Sequence, residues 1–394
     1  MKKYTVNTSM LSLLEGCSFF VKGKGAEPLP YSHAEEGKLG NKFIYKISGS
    51  ESKQINTIHE LLISSLFERL PVNQSATAYL KGKSYLDFLE PHRNNYYFLR
   101  VDLKNFFHFI DKEMVVEALR HHISEEPVTT EYSQSSLELV SRLVTLTLPK
   151  NSKNLEFAGQ SILPIGFKTS PVVSNVVFRK FDILIEKFCA QHDILYTRYA
   201  DDMLFSTSDI RTSKYKEKDI FSVLRNPKVK EKKPFLHSRR FLEQISFIVN
   251  LGGFKINNKK THMSKGNFTI NGYTISGTNY PYTSGTIRVS NKKTKIICKL
   301  LHECKIKVDD GDILKTVFNY RETKARLPYK SSKKFMNTYH TTQLNNKLMG
   351  YRSYLISLLK FNEAYRCMDS IFINKCTSLV CELDSIINRR LNKQ

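Results

Sequence analysis

Tryptophan is missing altogether from the 394 residues. Ring chemistry falls instead to 20 tyrosines and 25 phenylalanines, enough to fill a core and leave rings for stacking. Cysteine is sparse: seven residues, at 17, 189, 298, 304, 367, 376 and 381, an odd number with no Cys-x-x-Cys pair. That argues against a zinc ribbon or a disulfide framework and makes reduced, cytosolic thiols the expectation. No run of 18 apolar residues occurs, so no membrane span and no membrane partner are expected. Met1-Lys2-Lys3-Tyr4 opens no apolar stretch long enough for a signal peptide. Acid is scarce as well. Against 61 Lys+Arg stand 37 Asp+Glu, a net charge of +24 and a pI near 9.6. Such an excess points to a polyanionic partner, chiefly nucleic acid.

The length suits two or three lobes with ample core. Lys42–Ile47 alternates like a strand, with its lysines on one face. Residues 54–70 carry Ile58, Leu61, Leu62, Leu66 and Leu70 at helical spacing, stopped by Pro71. Ser84 is placed to cap a following helix. Residues 96–102 read as a buried strand ending in an acid. Helices are expected at 112–123 and 134–147. A Gly/Pro-punctuated loop from Gly159 to Pro171 opens into a helix with Val172, Val176, Val177, Leu184 and Phe188 offered to a core. Residues 195–207 read as a hairpin. Residues 208–236 form a basic insertion carrying Lys228, Lys230, Lys232 and Lys233. A helix at 238–250 ends at Gly252-Gly253. Ser290 is placed to cap a helix running to about 305. Residues 306–340 are polar and basic. Leu344, Leu348, Tyr351, Leu355 and Leu358 then hold one helical face, and a last helix carries Leu379, Leu383 and Ile386. These stripes read as core. His121-His122 and Asp111 read as solvated helix residues rather than metal ligands.

In this acid-poor chain, Asp201-Asp202 at the tip of the hairpin is unusual. Adjacent carboxylates repel unless a cation sits between them. Asp102, at the end of the 96–102 strand, can supply a third. Three acids are the set that two Mg²⁺ ions need for phosphoryl transfer, since Mg²⁺ takes a few carboxylates and completes its shell with substrate oxygens and water. A lone Asp-Asp turn is weak evidence. A strand ending in Asp, a Gly/Pro loop, a Tyr-x-Asp-Asp hairpin and then Gly-x-x-x-Asn-x-Lys-Lys, in that order, is specific.

On these residues the sequence resembles the reverse transcriptases, and most nearly their bacterial retron-type branch. Val101-Asp102-Leu103-Lys104-Asn105-Phe106-Phe107 resembles the first catalytic motif. Leu163-Pro164-Ile165-Gly166-Phe167-Lys168-Thr169-Ser170-Pro171, with Asn175, resembles the second. Tyr196-Thr197-Arg198-Tyr199-Ala200-Asp201-Asp202 is similar to the third, and Gly253 to Thr261 to the fourth. The likeness covers roughly residues 40–290, with a weaker helical match at 340–390. It implies an α+β right-hand fold: an N-terminal part of the fingers over 1–95, a palm over 96–289 that includes a fingers segment around 125–165 and the 208–236 insertion, and a helical thumb over 290–394.

The resemblance further implies an RNA-directed DNA polymerase that copies a structured noncoding RNA into cDNA from dNTPs with two Mg²⁺ ions, in phage defence. Asp102, Asp201 and Asp202 would be the catalytic, metal-holding acids, with the backbone of Leu103 beside them. Phe107 would be the steric gate against a ribose 2′-hydroxyl. Lys260 would lie near the pyrophosphate. Lys42 and Lys46 would face the incoming phosphates, and Gly166 would line the nucleotide site. Tyr199, Lys228, Lys230, Lys232 and Lys233 would meet nucleic acid. So would Arg326, Lys330, Lys333 and Lys334 in the thumb, which would track a phosphate backbone. Toxic or nuclease effectors would be separate chains, and an effector partner or self-association stays open.

Three departures stand out. Ile165 occupies the place of the family's Gln and cannot hydrogen-bond a sugar. Only His92 remains of an Asn-Ala-x-x-His element, and Ile270-Asn271-Gly272 replaces Val-Thr-Gly. Those last two elements relate to a retron's own RNA, so another defence-type reverse transcriptase fits the chain equally. A template-independent or protein-primed DNA polymerase, a catalytically retired RNA-binding scaffold and an RNA-dependent RNA polymerase are the alternatives. The intact acids argue against the scaffold, and Phe107 against the RNA polymerase.

Overall fold

The computed structural model describes residues 3–208, 234–278, 283–320 and 332–392. They fall into two compact units. The first holds the described residues of Met1–Phe88, Leu99–Ser206 and Lys230–Met263; the second holds those of Leu89–Phe98, Thr207–Val229 and Ser264–Gln394.

The strand Tyr97–Lys104 is central to a five-stranded sheet. Asp202–Thr207 flanks it on one side, with Leu195–Tyr199 beyond, and Lys255–Ile256 flanks it on the other; His262–Lys265 also pairs with it. Its apolar residues, among them Leu99, Val101 and Leu103, are buried. The 21-residue helix Ser170–Ala190 packs on Leu195–Tyr199 and on the helix Arg239–Asn250. Phe106, Phe178, Phe181 and Phe254 interlock there, with ring centroids 5.1–5.7 Å apart. Each such buried ring contributes roughly 1.5–3 kcal/mol. A second hairpin pairs Ala34–Leu39 with Lys42–Ile47. It is tied to the Gly/Pro loop by Tyr45, whose amide donates to the Ile165 carbonyl at 2.7 Å.

The strand at 42–47, the 195–207 hairpin and the helices after Ser84, Ser238 and Ser290 form where the sequence places them. Each of these serines accepts a backbone amide in the first turn. Other expectations shift. The 54–70 helix is Ser52–Ser65, followed by a tighter turn at Phe67–Arg69. The 112–123 helix stops at Leu119, and the 134–147 helix runs only from Ser136 to Val144. Leu184 is exposed rather than core-facing, because the buried stripe of its helix runs through Phe181 and Ile185.

In the second unit, Asn267–Ile270, Tyr273–Ser276 and Thr286–Val289 form an antiparallel sheet. Among the described residues the helices Asn291–Ile306, Asp310–Phe318, Lys333–Tyr365 and Ser370–Leu391 follow. The long helix and the last pack on each other and bury Leu344, Leu348, Leu355, Leu358, Leu379, Leu383 and Ile386, leaving Tyr351 half-buried. Arg390 joins the helices by a two-pronged bond to Asp310, at 2.9 and 2.6 Å.

Candidate active site

The hairpin places its two acids by a tight turn. Tyr199 registers with Asp202, leaving Ala200 and Asp201 as a two-residue loop. Such loops need a left-handed residue to match the strand twist. Ala200 takes that conformation, with φ +56°, at a cost of about 1–2 kcal/mol for a residue with a Cβ. Arg198 holds it there by donating from Nη1 to the Ala200 carbonyl at 3.0 Å.

Arg198 is fully buried. Its Nε and Nη2 donate to the two carboxylate oxygens of Asp182 at 2.8 and 2.7 Å, and the Tyr196 hydroxyl donates to Asp182 Oδ1 at 2.7 Å. The guanidinium lies 4.7 Å from the Phe178 ring centroid. Burial alone would make this guanidinium easier to deprotonate, but the Asp182 charge outweighs it and raises its pKa.

Asp102 is buried and doubly held. Asn257 donates from its amide to the Asp102 carbonyl at 2.7 Å and from Nδ2 to Oδ1 at 3.0 Å. Lys260, from the turn Asn258–Lys260, donates to Oδ2 at 2.9 Å. The next residue along, Leu103, donates its amide to the Asp201 carbonyl at 3.0 Å, which joins strand to turn. Asp202 receives Arg100 Nε and Nη2 at 2.8 and 2.6 Å, both on Oδ1. Burial pushes the Asp202 carboxyl above its ordinary pKa. Arg100 counters this, while the charges of Asp201 and Asp102 add to it. Asp201 receives Lys42 on Oδ2 at 3.1 Å.

The three acids thus share one electrostatic neighbourhood, and each carries a cation. Carboxylates that draw three cationic side chains have the chemistry for a hard metal ion. Among the described residues, however, no three His, Cys, Asp or Glu side chains converge on one point as a metal would require. Each acid is instead bonded to its own cation: Asp102 to Lys260, Asp201 to Lys42 and Asp202 to Arg100.

A cavity of about 280 Å³ opens beside Asp201, lined by Lys38, Lys42, Phe107, Lys153 and Ile165 among others. Gly166, expected to line the nucleotide site, follows the lining residue Ile165 but is not itself part of the wall. A Cβ there would lie 2.4 Å from the Tyr45 carbonyl oxygen, and φ is +116°, so only glycine fits. Phe107 is half-buried, with Tyr79 at 6.4 Å between ring centroids. Tyr79, itself at φ +61°, also approaches Tyr199 at 6.4 Å. Burial and Asp201 push the Tyr79 hydroxyl up to about 12.

Asp102, Leu103, Asp201, Asp202, Lys42, Phe107, Gly166, Lys260 and Tyr199 therefore lie in one unit. Lys46 is exposed, registers with Glu35 and does not line the cavity. Lys333 and Lys334 start the long helix of the other unit and are exposed. Lys228, Lys230, Lys232, Lys233, Arg326 and Lys330 lie outside the described residues. Sequence reasoning missed Arg100, Asp182, Asn257 and Tyr79. For Arg100 a signal existed: two residues before Asp102 on a strand, it shares that acid's face.

Comparison with known proteins bears on the same residues. Residues 47–275 match the model of the family described as reverse transcriptase (RNA-dependent DNA polymerase). The chain is 32% identical over 181 residues to the retron Ec83 reverse transcriptase of Escherichia coli, covering 46% of this chain and 54% of that one. It is 31% identical over 216 residues to the Escherichia coli retron Ec73 reverse transcriptase, covering 53% and 62%. The chain thus spans a little over half the length of these relatives. Among solved structures, a telomerase from Candida albicans is similar over 92% of this chain and 62% of that chain, with a TM-score of 0.42 and 10% identity.

Proposed function

Because this chain belongs to the reverse transcriptase family, we propose that it is an RNA-directed DNA polymerase that copies a structured noncoding RNA into cDNA. The observation that carries this reading is the bond from the Leu103 amide to the Asp201 carbonyl, which brings the strand of Asp102 to the hairpin turn of Asp201 and Asp202, with Asp201 lining a cavity that also carries Lys38, Lys42 and Lys153. The carboxylates, with the Leu103 backbone, would hold two Mg²⁺ ions. Those ions, when bound, supply charge neutralisation at the triphosphate and ease deprotonation of the primer 3′-hydroxyl.

The chain's own residues do the rest. Lys42 draws the triphosphate towards Asp201. Phe107 fills the space a 2′-hydroxyl would need and so selects deoxynucleotides. Gly166 lets the backbone run close behind the nucleotide. In this reading Lys260 protonates the leaving pyrophosphate. Tyr199 supplies a ring next to the primer end. Residues 1–95, 96–289 and 290–394 act as fingers, palm and thumb, and Lys333, Lys334 and the lysines and arginines before them track the template–product duplex. Copying a partner RNA in phage defence, as the likeness to retron enzymes suggests, is part of this reading.

The test is nucleotide incorporation by the Asp201→Ala, Asp202→Ala double variant. Incorporation should vanish while RNA binding persists; undiminished synthesis would overturn the mechanism. Ile165, an apolar wall of the cavity, keeps a second reading in view, a template-independent or protein-primed polymerase. Synthesis that continues after the RNA is removed with ribonuclease would favour it.

A further inference from the structure

The three acids differ in how firmly their cations are held. Arg100 is largely enclosed, its side chain 24% exposed, and its Nε and Nη2 converge on Asp202 Oδ1. Lys42 and Lys260 are about half exposed, at 53% and 47%. A lysine ammonium rides a flexible four-carbon stem and can swing away, whereas the planar arginine fork is fixed by its packing. Asp102 has donors on both oxygens, Asn257 on Oδ1 and Lys260 on Oδ2. A divalent ion cannot share Oδ2 with an ammonium 2.9 Å away without strong like-charge repulsion.

We propose that Lys42 and Lys260 are placeholder cations, which occupy Asp201 and Asp102 until divalent metal binds and are then released, while Arg100 stays on Asp202 as a positioning residue. The exchange keeps the acids ionised and separated when no metal is present. It also frees two ammonium groups when metal arrives, one of them, Lys42, on the wall of the cavity. The inference rests on the polymerase reading and divides its residues into movable and fixed.

The experiment uses the full chain and Mn²⁺ alone, without nucleotide or RNA. Surface lysines are labelled with an amine-reactive ester and quantified by mass spectrometry, with and without saturating Mn²⁺. Labelling of Lys42 and Lys260 should rise severalfold with metal. Lys153, which lines the same cavity but bonds none of the three acids, should not change. In parallel, Mn²⁺ affinity is measured by calorimetry. Lys42→Met and Lys260→Met should bind Mn²⁺ about five- to tenfold more tightly, as removing a paired cation leaves an uncompensated carboxylate. Lys153→Met should gain less. Unchanged labelling at saturation, or Lys42→Met and Lys260→Met no tighter than Lys153→Met, overturns the placeholder role and leaves the polymerase reading standing. Absence of saturable Mn²⁺ binding in the wild type and all three variants overturns both.

Discussion

Arg198 and Asp182 form a fully buried two-pronged ion pair that joins the helix Ser170–Ala190 to the strand leading into the Asp201-Asp202 turn. Removing one partner of such a pair strands a charge in the core, at a cost of about 3–5 kcal/mol. Arg198→Ala should therefore lower the urea midpoint markedly. The double change Arg198→Met with Asp182→Leu should recover most of that stability, yet leave the Ala200 carbonyl without its donor. Its kcat should fall with KM little changed. Full activity in the double variant would show that the pair serves only the fold.

Phe107→Ala should open the space beside the sugar. The ratio of kcat/KM for dNTP over NTP should drop by at least roughly tenfold. An unchanged ratio would remove Phe107 from nucleotide selection.

Gly166→Ala would drive a Cβ into the Tyr45 carbonyl. The Lys42–Ile47 strand must then move away, taking Lys42 with it. Overpacking of this kind costs about 1–3 kcal/mol. A raised KM for dNTP is expected, with thermal stability reduced only modestly; an unaltered KM would contradict the placement.

Three buried histidines make stability pH-dependent. Burial lowers His59 and His108 to about 4 and His92 to about 3. In the unfolded chain they protonate near their ordinary value of about 6.5. Between these values the unfolded state binds more protons, so acid favours unfolding. The contribution is complete above about pH 6.5 and is lost as pH falls towards 4, by up to about 1.4 kcal/mol per unit for each histidine. Urea midpoints measured across that window should fall steadily. His59→Phe, which removes an imidazole bonded to the Leu143 carbonyl, should flatten the slope; an unaffected slope would rule His59 out as a source.

Much of this site was legible in the sequence, because it is built from local signals. Apolar strands around a short acidic turn read as a hairpin, and the hairpin is there, with Ala200 and Asp201 as its loop and Asp202 already on the strand. The strand expected to end at Asp102 is there too, but it runs from Tyr97 on to Lys104, with Asp102 buried inside it. The partners of the acids were not legible. Any of 61 lysines and arginines could have answered three carboxylates, and only tertiary packing chooses Arg100, Lys42 and Lys260. Asp182 was hidden for a related reason, since an acid inside an apolar helix announces no partner 16 residues later. Leu184 misled because a helix turns about 100° per residue, so one position off the Phe181–Ile185 stripe is already solvent. The helix Asp310–Phe318 escaped because its apolar residues cluster in a short run among charges, although Asp309 caps it by accepting the Asp312 amide at 2.8 Å.

Asn257 grips Asp102 by both backbone and side chain, and Lys260 follows three residues later in the same short turn. That turn is in effect a gauge wired to the carboxylate. The Asn257 amide exchanges its hydrogen only when the bond to the Asp102 carbonyl opens, so its exchange rate reads how firmly the turn stays docked on the strand that carries the acid. A probe placed there would tell, without substrate and without turnover, whether a divalent ion taken up as proposed loosens that turn.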